Sequence, residues 1–140
     1  MGTTANVLFP WSQKYQVGIT FVDIQHEQLV DIINALHQAM VAGQGRQVVG
    51  KAVEKLILYA QAHFNEEEKV LESCGYPEFP ALHIENERLK YAVMVFHQKL
   101  MTYELGLNDA AMGFLKDWLA EHIHSVDTKC VLFLKDKGVT

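Results

Sequence analysis

The stretch Arg46–Ser73, RQVVGKAVEKLILYAQAHFNEEEKVLES, decides the fold. Val49, Val53, Leu56, Ala60, His63, Glu67 and Val70 recur along it in alternating steps of four and three residues, with Leu71 beside the last of them. That spacing is one face of a long helix. Gly75-Tyr76-Pro77 closes the pattern, as glycine and proline do beyond a helix end. No period-two alternation of the kind a strand needs is sustained. Two members of the stripe are not apolar. His63 and Glu67 lie four residues apart, so both leave the same helix face one turn from each other.

Working outward, three further segments carry the same signature. The segment from about Asp23 to Ala42 places His26, Leu29, Val30, Ile33, Leu36 and Met40 on one face, and Gly43 is a plausible stop. A third segment starts near Pro80, which suits a first helical turn, with Leu82, Leu89, Val93, Phe96, Leu100 and Tyr103 as its stripe. The fourth is expected to run from Asn108, a good N-cap, to Lys135, with Ala111, Leu115, Trp118, Leu119, His122, Val126 and Cys130 facing inward. Four such helices joined by short connections predict an all-α, up-down-up-down four-helix bundle over residues 23–137. Residues 1–22 are expected to form an extended arm, with Leu8, Phe9, Trp11, Tyr15, Val17, Ile19 and Phe21 against the bundle.

Composition narrows the function. The chain has 140 residues, of which 49% are apolar, enough for one domain with a real core. Lys and Arg number 12 against 17 Asp and Glu, for a formal charge of -5, with no basic run. That balance disfavours nucleic acid, whose affinity needs cations against phosphates, and a polybasic membrane patch. No apolar run approaches the roughly 20 residues that span a bilayer. No export signal is read at the N-terminus, and Cys74 and Cys130 form no CxxC pair, so a reduced, cytoplasmic chain is expected. A monomer is favoured.

His26, His63, Glu67 and His122 sit where a bundle wants leucine. A carboxylate buried alone is costly and seeks a partner or a proton. Asp127 follows His122 by five residues, about 140° further round the helix, so the two flank the buried arc. Imidazoles and carboxylates converging from facing helices are ligands for a first-row transition metal, and two carboxylates able to bridge suggest two ions. His37 and His97 lie too far along their helices to join and read as core or boundary residues. His124 and the run Glu66, Glu68 and Lys69 read as solvated. Neither HExxH nor a dinucleotide loop is present. Glu-x-x-His occurs once, at Glu121 and His124, where a ferritin-like site needs it on two helices.

At this point the motifs carry a resemblance. They are Trp11, Tyr15 and Val17-Gly18-Ile19; Asp23-x-Gln25-His26-x-x-Leu29 and Asn34; His63-Phe64-x-x-Glu67-Glu68; Gly75-Tyr76-Pro77; and Trp118-Leu119-x-x-His122-x-x-x-x-Asp127. From Trp11 to about Leu134 the chain resembles the hemerythrin family, its single-domain bacteriohemerythrins in particular. The resemblance implies two non-haem iron ions bridged by carboxylates, binding dioxygen as a carrier, store or sensor. It places His26 and His63 on one iron and Glu67 and Asp127 as bridges. His122 falls on the other iron, with two more histidines from the third helix.

The third helix departs from that pattern. Where the family has HxxxH, this chain reads Leu82-His83-Ile84-Glu85-Asn86-Glu87. An ungapped register puts Leu82 and Asn86 at the ligand positions, and helical periodicity favours it. A shift of one residue puts His83 and Glu87 there, and ligand chemistry favours that. The expected ligands are therefore His26, His63, Glu67, His83, Glu87, His122 and Asp127, with a local bulge at the start of the third helix. A carboxylate in place of an imidazole favours ferric iron. An oxidase, a ferroxidase, or a protein handling peroxide or nitric oxide thus stands as the alternative to dioxygen binding, and a metal-free helical module as a third reading.

Overall fold

The computed structural model describes residues 7–140. Four long helices make the bundle: α1 (Thr20–Val41), α2 (Arg46–Ser73), α3 (Phe79–Met101) and α4 (Asp109–Lys129). A short α5 (Val131–Asp136) follows. Contacts run α1 to α2, α2 to α3, α3 to α4 and α4 back to α1, which closes a four-helix ring around one core. No strand occurs among the described residues. None of their helices is long and apolar enough to cross a membrane.

The stripes read from the sequence are the buried faces. Leu29, Ile33 and Leu36 of α1, Val49, Val53, Leu56 and Ala60 of α2, Val93, Phe96 and Leu100 of α3, and Ala111, Leu115 and Leu119 of α4 are all buried in one core. Gly43 and Gly75 end α1 and α2 in the left-handed region, at φ 77° and 75°, where a side chain would be strained. Asn108 caps α4, its side-chain oxygen accepting the Ala111 N–H.

Two expected boundaries shift. The first helix begins at Thr20, three residues before Asp23. The Asp23 carboxylate accepts the N–H groups of Val17 and Gly18, so an acid inside the first turn anchors the chain that enters it. The fourth segment does not run unbroken to Lys135, as expected. It breaks at Cys130, and Val131 and Leu134 turn back onto the core. The Tyr76 hydroxyl donates to the Lys129 carbonyl, holding the end of α4 at that break.

Residues 1–6 of the expected arm lie outside the described residues. The rest of the arm is not wholly extended, since Gln13–Tyr15 form a short 3-10 turn and residues 20–22 belong to α1; Phe9, Val17 and Ile19 are buried. Asn34 of α1 latches it: its Oδ1 accepts the Phe9 N–H at 2.9 Å and its Nδ2 donates to the Phe9 carbonyl at 3.0 Å. Asn34→Ala leaves both backbone groups of a buried residue unpaired. It should cost about 1–3 kcal/mol in urea titrations and open the arm to proteolysis. An unchanged midpoint would show that the latch does not hold the arm.

Candidate metal centre

Four side chains from three helices converge where the stripes turn polar: His26 of α1, His63 and Glu67 of α2, and His122 of α4. All four are buried, none more than 3% exposed. Each offers one donor atom, and these atoms lie within 4.8 Å of one another. His26 Nε2 is 3.1 Å from Glu67 Oε2, and His63 Nε2 is 2.8 Å from the same oxygen. His122 Nε2 is 3.3 Å from Glu67 Oε1 and 3.2 Å from His63 Nε2. Glu67 Oε1 has no hydrogen-bond partner despite that contact. A buried carboxylate oxygen left in that state is an acceptor waiting for a cation.

Neighbouring residues set the ring orientations. Gln25 Nε2 donates to the Glu66 carboxylate, so its Oε1 faces His63 and accepts from His63 Nδ1 at 2.7 Å. That bond puts the proton on Nδ1 and leaves a lone pair on the inward Nε2, the tautomer a metal needs. Burial pushes His26 down to about 4, so its ring is neutral near pH 7. Burial alone would raise Glu67, but the His63 and His122 rings beside it outweigh that and hold its carboxyl well below the usual range. A neutral His26 ring and an ionised Glu67 are the protonation states a metal needs of those two ligands. Phe64 stacks edge-on against His122 at 4.7 Å between centroids, with Trp118 beyond it at 6.4 Å. These rings form an apolar wall beside the cluster.

The other three expected ligands are not brought there. Asp127 is exposed, because α4 turns His122, Ser125 and Val126 inward and leaves position 127 off that arc. On α3 the expected shift does not occur. The helix is regular from Phe79 with no bulge, so Leu82 and Asn86 take the buried positions. His83 and Glu87 fall on the outer side, with side chains 47% and 52% exposed. The stripe Leu82, Asn86, Val93 accounts for this placement: shifting the register would pull three buried residues out of the core.

Glu68, read above as solvated, is 8% exposed. It points at α3, accepting from Asn86 Nδ2 at 2.9 Å and from His83 Nδ1 at 2.7 Å. That hydrogen-bonded carboxylate raises the His83 pKa. The sequence signal for Glu68 was Asn86 itself, a polar residue on an apolar stripe that required a buried partner.

The converging donor set of three imidazoles and a carboxylate suits a first-row transition metal. Helix α3 brings no imidazole or carboxylate to this cluster, and Asp127 is exposed.

Residues 17–131 match the family described as Hemerythrin HHE cation binding domain. A bacteriohemerythrin of Methylococcus capsulatus is 31% identical over 121 residues, which covers 86% of this chain and 92% of that protein. One from Clostridium acetobutylicum is 28% identical, covering 89% and 99%. A crystal structure of wild-type hemerythrin superposes with a TM-score of 0.76 at 31% identity, over 86% of this chain and 92% of that one. A hemerythrin mutant superposes at 0.81 with 29% identity, over 91% and 98%. Bundle, buried histidine–glutamate cluster and relatives agree, and the chain belongs to the hemerythrin family.

Proposed function

We propose that this chain is a hemerythrin-type non-haem iron protein. His26, His63, Glu67 and His122 are its iron ligands, and a small diatomic molecule, dioxygen first, is its partner. The observation that carries the reading is the buried convergence of three imidazole Nε2 atoms on one carboxylate with a partnerless oxygen. Iron, when bound there, supplies a change of oxidation state and a coordination position open to a small ligand. The protein's own contribution is to orient His63 through Gln25, to keep His26 neutral by burial, and to keep water off the site with Phe64 and Trp118. A site whose four ligands are at most 3% exposed suits a carrier, store or sensor of a diatomic gas.

A second reading, handling of nitric oxide or peroxide, draws support from one observation. The third helix carries Leu82 and Asn86 where the family has a histidine pair. Anaerobic, iron-loaded, reduced protein should change its visible spectrum on mixing with air or with nitric oxide, and His63→Ala should not. A spectrum blind to both gases would contradict the proposal. A response to nitric oxide alone, or steady peroxide turnover, would favour the second reading.

A further inference from the structure

We infer that this centre holds a single metal ion on three imidazoles and one carboxylate, not a pair of irons. The inference rests on the reading of the cluster as an iron site and concerns how many ions it takes.

The first argument is spacing. Bonds of about 2.0–2.2 Å from nitrogen and oxygen to one ion place neighbouring tetrahedral donors about 3.3–3.5 Å apart. The contacts here run from 2.8 Å for His63 to Glu67 up to 3.3 Å for His122 to Glu67. His63 Nε2 and His122 Nε2, which the family pattern assigns to different irons, are 3.2 Å apart. Two ions in a bridged site lie about 3.5–4 Å from each other, so terminal imidazoles on different ions are pushed further apart than this. All four donor atoms lie within 4.8 Å of one another, close enough to converge on one ion.

The second argument is what occupies the other half of a family site. Leu82, 4% exposed, offers no donor. Asn86, fully buried, offers a neutral amide whose Nδ2 is engaged by Glu68. Glu68 in turn has both oxygens occupied, one by Asn86 and one by His83. The chain His83 to Glu68 to Asn86 leaves one buried oxygen unpartnered, Asn86 Oδ1, a neutral amide that brings no charge to offset a second ion.

The third argument is charge. Two ferrous ions bring four positive charges into a bundle core where Glu67 is the one carboxylate in the cluster. The second bridging carboxylate, Asp127, is exposed. Buried charge needs compensation at close range, and one divalent ion with Glu67 comes far nearer to it than two. The chemical consequence follows directly. One ferrous ion gives up one electron on becoming ferric, so the two-electron exchange with dioxygen that a pair allows is not available to it.

The test loads purified protein anaerobically with excess ferrous iron, removes unbound metal, and measures iron per chain alongside electron paramagnetic resonance of the oxidised sample. One iron per chain is expected, with a high-spin ferric signal that accounts for all of it. Two irons per chain, largely silent because coupled, would overturn the inference and leave the proposed iron function standing. No retained iron would overturn that function, and the inference with it. Asp127→Asn should leave the count at one; a loss of iron would show that Asp127 swings in as a second carboxylate ligand and would overturn the inference.

Discussion

Glu67→Gln should leave the chain folded and strip it of iron. The substitution keeps the shape of a buried side chain and removes the one carboxylate of the cluster. An amide oxygen is a poor ligand for ferrous iron, and the three imidazoles cannot offset the ion's charge. Iron affinity should fall at least about 100-fold, beyond the 10- to 100-fold typical of losing a residue that only supports a ligand. The effect on stability follows from linkage. Iron at 100 times its dissociation constant stabilises the folded state by about 2.7 kcal/mol, which for a chain of this size raises the melting temperature by roughly 5–10 °C. Differential scanning calorimetry with and without iron should show that rise in the wild-type protein and none in Glu67→Gln. An equal rise in both would mean that iron binds elsewhere.

The metal-free protein should lose stability steadily as pH falls from 7 to 4. His26 titrates at about 4 in the folded chain because burial penalises its charged form, against an ordinary value of 6.5. Between those values the unfolded chain binds the proton and the folded chain does not, so stability rises with pH across that window. The stabilisation is fully present above about 6.5 and gone below about 4, a difference of about 3 kcal/mol. Glu67, held below the usual carboxylate range, acts in the same direction, its stabilisation being lost as pH falls through its folded value. His83, raised by its bond to Glu68, acts the other way: its stabilisation is present at low pH and lost as pH rises. That side chain is nearly half exposed, so solvent screens the effect. Urea midpoints measured with a chelator present should fall across the window, and His26→Phe should flatten the slope. A wild-type profile flat from pH 7 to 4 would contradict the burial argument.

The bundle was legible because its stripes are strong. The alternation of steps along Val49, Val53, Leu56 and Ala60 admits one helix face, and His63 and Glu67 stand out on it as the only polar members. For α3 the sequence carried two competing demands, donors for a metal and a continuous buried stripe. His83 and Glu87 were favoured because two irons would need more donors, whereas packing obeyed the periodicity of Leu82, Asn86 and Val93. Core burial acts on every residue of the helix, while a ligand requirement acts only if the ion is there. Glu68 escaped notice for a related reason. It follows Glu67 by one residue and so points about 100° away, which on an isolated helix means solvent but in this bundle means α3. The break at Cys130 leaves no mark on the sequence, since the apolar stripe continues through it and only the Tyr76 hydroxyl reaching the Lys129 carbonyl reveals the end.

The most direct test of the central claim is diffraction at the iron absorption edge from crystals of iron-loaded protein. One anomalous peak is expected, within bonding distance of the Nε2 atoms of His26, His63 and His122 and of the Glu67 carboxylate. A peak on His83, Glu87 or Asp127, or none among the four buried side chains, would contradict it.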